Sequence, residues 1–186
     1  SGAEFTYSKY SSRYDKVLAG EEPNIFSLKF AGGALQDLGV YTVYDTVTLF
    51  GIPENAVYYP KLIQTGVDGK GTAVLNYPDK TVVLNFSKIT NSQMPSEIYG
   101  GKDFISIDNG GELTQVKYIN NQGKAVVLGN SAGENPMLGE ARDFAQVLNY
   151  PNDSKNVTKY QKWLHLSIEV NQVLFNLRQS AQLYFT

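Results

Sequence analysis

The segment AGGALQDLGVYTVYDTVTLFGIP, residues 31–53, contains one helical pattern bounded by breakers at both ends. The pair Gly32-Gly33 precedes the pattern, and Gly51 and Pro53 end it. The sequence therefore predicts one helix over residues 33–49.

This helix has two distinct faces. At about 100° per residue, one face is an apolar stripe suited to packing on a sheet, formed by Val40, Val43, Val47 and Phe50. A second set lies beside the stripe: Asp37, Tyr41, Tyr44 and Thr48. A carboxylate and a phenol therefore stack at the edge of the buried surface. The glycine pair carries no Cβ, so another backbone or a flat ligand can approach closely, and the segment predicts a site.

The motif of this segment carries a family resemblance. The run Gly32-Gly33-Ala34-Leu35-Gln36-Asp37-Leu38-Gly39-Val40-Tyr41, followed by Leu49-Phe50-Gly51 and Pro53, resembles the Gly-Gly-x-x-x-Asp-x-Gly-x-His/Tyr stretch of the Gfo/Idh/MocA oxidoreductases. In that family the stretch opens the second domain, after the nucleotide-binding one. Tyr41 stands where many members have His, which is similar to the glucose-fructose oxidoreductase and dimeric dihydrodiol dehydrogenase branches.

The resemblance implies a function for the chain. Residues 1–186 would be a single C-terminal substrate-binding and dimerisation domain, with the nucleotide-binding domain outside this chain. The protein would be an NAD(P)-dependent oxidoreductase that acts on a sugar, polyol or related secondary alcohol by hydride transfer. The residues leave an alternative open, a non-catalytic α+β binding or scaffold domain that has the fold without the chemistry. The sequence does not name the substrate.

The resemblance also implies roles for individual residues. Asp37 would be the orienting carboxylate and Tyr41 a hydroxyl donor, assisting a lysine of the nucleotide-binding domain; whether Tyr41 or that lysine is the acid-base stays open. On the residues alone, Asp37 can instead be a first-turn carboxylate favoured by the helix dipole, and Tyr41 a packing residue. Gly32 and Gly33 are expected to lie near the cofactor.

The linker before the helix supplies further candidates. In the resembling branch it lies beside the active site, so Arg13, Phe26 and Lys29 are candidate substrate contacts. Alternatively, Arg13 and Lys29 are solvated surface charges and Phe26 is a core residue.

The chain lacks the motif that binds a dinucleotide. A Gly-x-Gly-x-x-Gly turn after a strand would hold the pyrophosphate of NAD or NADP. The glycines of residues 66–71 have a different spacing and predict a hairpin turn, and Glu21-Glu22-Pro23 does not match the Glu-Lys-Pro motif of the family's catalytic lysine. We expect this chain alone to bind no dinucleotide and to be inactive.

Composition excludes several other classes. A hydrophobic fraction of 42% with 18% charged residues is ordinary for a globular protein, and a net charge of −2 gives no reason to expect nucleic acid or an anionic membrane as partner. With no Cys and one His, neither a thiolate site nor a multi-His metal site is expected. No apolar run approaches the roughly 20 residues of a membrane span, and a cytoplasmic location is expected.

The rest of the chain predicts an α+β fold, a large, mostly antiparallel open β-sheet with helices on one face. Strands are predicted at 4–12, 56–66, 70–77, 81–89, 96–99, 103–108, 112–119 and 124–128, joined by short turns that favour antiparallel neighbours. Pro60 indicates an edge or a bulge. Further helices are predicted at 13–19, 137–148 and 155–181, the last capped at Asn152-Asp153-Ser154, with an apolar stripe of Val157, Tyr160, Leu164, Ile168 and Phe175.

The predicted strands carry apolar side chains at both odd and even positions, and therefore on both faces of the sheet. Val82, Leu84 and Phe86 point one way, while Val83 points the other. The second face, expected to be interrupted by Asn85 and Lys88, is too apolar for free exposure. A homodimer through this open face is therefore expected.

Overall fold

The computed structural model describes residues 1–131, 133, 135 and 137–185, and within them eight strands form one sheet of order β2-β3-β4-β1-β5-β6-β7-β8. β1 runs parallel to β4, and the other neighbouring pairs are antiparallel. The predicted α+β class with a mostly antiparallel open sheet is confirmed. The strands are β1 Gly2–Ser8, β2 Asn55–Leu62, β3 Asp68–Asn76, β4 Thr81–Ser87, β5 Ser96–Gly100, β6 Asp103–Ile107, β7 Gln115–Ile119 and β8 Ala125–Asn130.

The helix predicted over residues 33–49, the organising helix, is present, and its first turn is wider than an α-helical turn. A π-helical turn, Leu35–Gly39, leads directly into α2, Val40–Phe50. The other helices are α1 Tyr14–Leu18, α3 Met137–Asn149 and α4 Ser154–Ser180. Asp153 caps α4 as predicted, because its side chain accepts hydrogen bonds from two backbone N–H groups of the first turn.

The π-helical turn, α2 and α4 pack on the sheet, and α3 packs on α4. The π-helical turn and α2 lie against β1 and β4, and α4 lies against β2 and α2. Alternation along β4 puts Val82, Leu84 and Phe86 into this core, where they meet Val43 and Val47 of α2. The predicted apolar stripe of the organising helix is thus the stripe that packs on the sheet.

The second face of the sheet is open and mixed in character. Thr72 Oγ1 donates to Asn85 Oδ1 at 2.7 Å, and Asn85 Nδ2 donates to Glu4 Oε1 at 2.7 Å, so a polar row crosses three strands. Val74 and Val83 are half-buried neighbours of this row. Val83 and Asn85 therefore lie on the second face, as predicted.

Two predicted placements are wrong. Lys88 does not interrupt the open face; it lies on the helical side, as strict alternation from Val82 requires. The apolar stripe predicted on α4 is exposed and is not the face that packs on the sheet; the buried face of α4 is formed by Val170, Val173, Leu174 and Leu177. The two stripes lie about 140° apart on the helix, so both are apolar and only the tertiary contacts select one.

The edge position of Pro60 is confirmed, because β2 is the outermost strand and its register shifts between Lys61 and Leu62. In the portion of the chain that the structure covers, we find no helix both long and apolar enough to cross a membrane.

Candidate active site

Asp37 and Tyr41 lie on successive turns of the organising helix, and both reach solvent. Asp37 belongs to the π-helical turn, where its backbone N–H donates to the carbonyl of Gly33 at 3.3 Å. Its side chain is 49% exposed, and Tyr41 is 47% exposed. The carboxylate and the phenol therefore share an accessible edge of the helix, beside the stripe that packs on the sheet.

A buried lysine lies directly beneath this edge. Lys88 Nζ is 2.5 Å from Asp37 Oδ2, 3.3 Å from the carbonyl oxygen of Ile25 and 4.7 Å from the centre of the Phe26 ring. The Lys88 side chain is only 1% exposed. A buried ammonium requires a counter-charge and hydrogen-bond acceptors, and these three contacts supply them.

A second phenol lies on the other side of Tyr41. Tyr7, near the end of β1, meets the Tyr41 ring edge to face, with the ring centres 5.4 Å apart. Burial, and after it the charge of Glu112, raise the pKa of Tyr7, so this phenol stays protonated and able to donate. Lys9 and Glu112 form an ion pair at 3.1 Å beside it.

Two further carboxylates lie in or under the organising helix. Burial raises the pKa of Asp45, one turn after Tyr41, to about 7. Its Oδ2 is buried and has no hydrogen-bond partner among residues 1–131, 133, 135 and 137–185. Asp68 accepts hydrogen bonds from the Leu35 N–H at 2.7 Å and the Tyr58 hydroxyl at 2.6 Å, and burial raises its pKa to about 6. Asp68 therefore anchors the first turn of the helix to the sheet.

The glycine pair is packed against the chain itself. Gly33 has a φ of +124°, and a Cβ there would lie 2.0 Å from Asp68 Oδ1. A Cβ on Gly32 would lie 2.6 Å from the carbonyl carbon of Ile25. The backbone of Ile25 thus approaches Gly32 closely, and the side chain of Asp68 approaches Gly33. Proximity of Gly32 and Gly33 to a cofactor stays a prediction.

The three linker candidates lie in different surroundings. Arg13 precedes α1 and is exposed, and Lys29 is exposed with its ammonium over the Phe30 ring. Phe26 is fully buried in a small core with Val17 and forms the floor beneath Lys88. The structure therefore favours the core alternative for Phe26, which offers no surface to a substrate. Substrate contacts by Arg13 and Lys29 stay predictions.

This arrangement is suited to binding a hydroxyl group. The Asp37 carboxylate accepts hydrogen bonds, while the phenols of Tyr41 and Tyr7 can donate. The sequence pointed to Asp37 and Tyr41 but not to Lys88 or Tyr7. Alternation along β4 could have placed Lys88 on the helical side, whereas nothing local indicates that Tyr7 would meet Tyr41.

The chain has close relatives among bacterial oxidoreductases, although no family model matches it. It is 35% identical over 144 residues to the uncharacterized oxidoreductase YgjR of Escherichia coli, and 36% identical over 148 residues to the scyllo-inositol 2-dehydrogenase (NADP(+)) IolU of Bacillus subtilis. Each alignment covers 77% of this chain. The chain belongs to the Gfo/Idh/MocA oxidoreductase family. It spans 44% of the length of these two relatives.

Solved structures share the fold. KijD10, a 3-ketoreductase from Actinomadura kijaniata in complex with NADP, superposes with a TM-score of 0.70 at 16% identity, covering 96% of this chain and 51% of that one. The UDP-N-acetylglucosamine 3-dehydrogenase GnnA of Acidithiobacillus ferrooxidans gives 0.66 at 13% identity, covering 96% and 52%. At these identities the likeness is one of fold alone.

Proposed function

We propose that this chain is the substrate-binding and dimerisation domain of an NAD(P)-dependent oxidoreductase that acts on a sugar, polyol or related secondary alcohol. In the proposed two-domain protein, a nucleotide-binding domain precedes this chain and holds the dinucleotide. The observation that carries the proposal is the exposed pair of Asp37 and Tyr41 on one helix edge, with the Asp37 carboxylate paired to the buried Lys88. Two relatives named as oxidoreductases support it, one of them named for a polyol substrate and NADP.

The chain's own residues would bind and orient the reacting alcohol. When bound, the dinucleotide supplies the hydride acceptor or donor. Asp37 would accept a hydrogen bond from the substrate hydroxyl and fix its direction, while Tyr41 would exchange a proton with the substrate oxygen or donate to it. Tyr7, protonated and packed against Tyr41, would limit the positions that the Tyr41 ring can take. The residues of this chain fit the substrate side of such a site and offer no fingerprint for the pyrophosphate.

The proposed function is tested by turnover in the two-domain protein. We expect NAD- or NADP-dependent oxidation of at least one inositol, other polyol or sugar, followed by absorbance of the reduced nicotinamide. A panel of secondary alcohols that gives no turnover with either dinucleotide would favour a scaffold domain without chemistry. A cytoplasmic location stays a prediction.

The 186-residue chain by itself is expected to bind neither NAD nor NADP. Its glycines are not spaced for a pyrophosphate, and Gly32 and Gly33 are packed against Ile25 and Asp68. Calorimetric titration of the chain with each dinucleotide should show no heat of binding at micromolar concentrations. Saturable micromolar binding would contradict the assignment of the dinucleotide to another domain.

The open face of the sheet is proposed as the dimer interface. It combines Val57, Val74 and Val83 with the polar row of Thr72 and Asn85. Exposed apolar area around a satisfied polar row is typical of an interface between proteins. Two copies related by a two-fold axis would each cover the open sheet face of the other.

Self-association is expected to depend on Val83, which lies in the middle of this face. Light scattering of the chain should give about twice its 20.6 kDa mass. Val83→Glu should lower the mass to that of one chain, because the new carboxylate would be desolvated in the interface. Leu148→Glu is the matched control, since Leu148 is an exposed residue of α3 away from the sheet. A monomeric parent chain, or equal effects of the two variants, would contradict the interface.

A further inference from the structure

We propose that Lys88 is a positioning residue of the active site, which fixes the Asp37 carboxylate in the orientation that receives the substrate hydroxyl. This inference deepens the proposed function and rests on it for the role of Asp37. Lys88 itself is too deeply buried to touch a substrate, since its side chain is 1% exposed. It would act only through Asp37.

The backbone of Lys88 is fixed on both sides. Its N–H donates to the carbonyl of Gly69 at 2.9 Å, and its carbonyl accepts from the Ser11 N–H at 2.9 Å. Lys88 therefore continues the sheet just past β4, between the segments that follow β1 and begin β3. A side chain that starts from such an anchor has little freedom to follow a moving partner.

The ammonium has three contacts of its own. It contacts Asp37 Oδ2, the carbonyl oxygen of Ile25 and the face of the Phe26 ring. The first two accept its hydrogen bonds, and the ring face attracts a cation electrostatically. The ring is itself fully buried, so the ammonium lies in a preformed cradle.

The two partners differ in burial, which separates this pair from an ordinary surface ion pair. Exposed pairs contribute little because both side chains move and water screens them. Here the lysine cannot reach water, while the carboxylate is half exposed. A neutral residue of similar length would fill the same space without the desolvation cost of an ammonium. The charge therefore does more for the exposed carboxylate than for the packing of the core.

The geometry leaves one carboxylate oxygen for the substrate. Lys88 engages Oδ2, whereas the Asp37 side chain as a whole is 49% exposed and open to a further partner. Fixing Oδ2 would restrict rotation of the carboxylate about its terminal bond and leave Oδ1 as the oxygen that receives the substrate hydroxyl. Such preorganisation matters because small misplacements of a reacting group slow catalysis strongly.

Lys80 provides a matched control elsewhere in the same chain. Its Nζ is also 2.5 Å from a carboxylate, that of Asp79, and lies over the rings of Phe50 and Tyr77. It therefore shares with Lys88 a carboxylate partner and contacts with aromatic rings, but it lies just before the first residue of β4, at the opposite end of that strand from Lys88. Replacing Lys80 therefore tests the general effect of losing a lysine that pairs with a carboxylate and contacts aromatic rings.

The test compares Lys88→Met, Lys88→Arg and Lys80→Met in the two-domain protein. Lys88→Met should lower kcat by about tenfold or more while changing KM less than about twofold, because it disorders a group needed in the transition state. Lys88→Arg should recover part of kcat, and Lys80→Met should leave it unchanged. In an Asp37→Asn background, Lys88→Met should cause no further loss. A full second loss there, or equal losses for Lys88→Met and Lys80→Met, would overturn the proposal.

A second readout does not depend on activity. In the 186-residue chain, the ¹³C chemical shift of the Asp37 carboxylate should move in Lys88→Met and stay in place in Lys80→Met, with both variants folded by circular dichroism. An unchanged Asp37 signal in a folded Lys88→Met chain would overturn the positioning role. If the Asp37 signal moves but the two-domain protein shows no turnover, the contact between Lys88 and Asp37 is supported and the proposed function is contradicted.

Discussion

Tyr41→Phe and Asp37→Asn are each expected to reduce turnover of the two-domain protein by about 10²-fold or more, the usual cost of removing an acid-base or orienting group. Tyr41→Phe removes only a hydroxyl from a half-exposed ring, so the edge-to-face contact with Tyr7 should survive. Asp37→Asn removes the acceptor charge at the same edge. Steady-state kinetics on the substrate identified by the panel would measure both effects.

The two variants are expected to differ in stability. Asp37→Asn leaves the buried ammonium of Lys88 without a counter-charge, so its thermal midpoint should fall, whereas Tyr41→Phe should unfold close to the parent temperature. Tyr44→Phe is the matched control for the phenol: Tyr44 lies on the same side of the helix, but its hydroxyl donates to Ser167 Oγ at 3.0 Å, away from Asp37. Near-parental turnover of Tyr41→Phe, or an equal loss in Tyr44→Phe, would show that Tyr41 is a packing residue.

Much of the fold follows from patterns that are local in sequence. Strand alternation and short polar turns place all eight strands within a few residues of their positions in the structure. The cap at Asp153 and the breakers at Gly51 and Pro53 mark helix ends for reasons contained in a few neighbouring residues. The positions of Asp37 and Tyr41 follow from helical spacing for the same reason.

The remaining features depend on contacts between distant segments. Lys88 contacts a helix residue that is 51 positions earlier in the chain, so no short window of sequence contains both residues. Asp68 reads locally as a turn residue between strands, yet its carboxylate anchors Leu35. On α4 both stripes are apolar, and only packing against β2 and α2 decides which one is buried. Periodicity gives the candidates in such cases, and tertiary contacts choose among them.

The anchoring of the organising helix at Gly33 leads to the second large expected effect. Gly33→Ala should lower the free energy of unfolding of the 186-residue chain by roughly 3–5 kcal/mol. Part of the cost is backbone strain, since a φ of +124° is rarely adopted by residues with a Cβ. The larger part is steric: the new methyl group would lie 2.0 Å from Asp68 Oδ1.

Displacing the Asp68 carboxylate would break the hydrogen bonds that it accepts from the Leu35 N–H and the Tyr58 hydroxyl, both buried. Gly51→Ala is the matched control, because Gly51 also has a positive φ, +75°, but has open space around it. Its substitution should cost about 1 kcal/mol. Urea denaturation would measure the loss of unfolding free energy in both variants. Equal losses would show that the Asp68 side chain moves aside with little energetic cost. The carbonyl of Gly33 also accepts a hydrogen bond from the N–H of Asp37. A Gly33→Ala chain that still folds should therefore have a displaced Asp37. The two-domain protein with Gly33→Ala should lose turnover, whereas the one with Gly51→Ala should keep it.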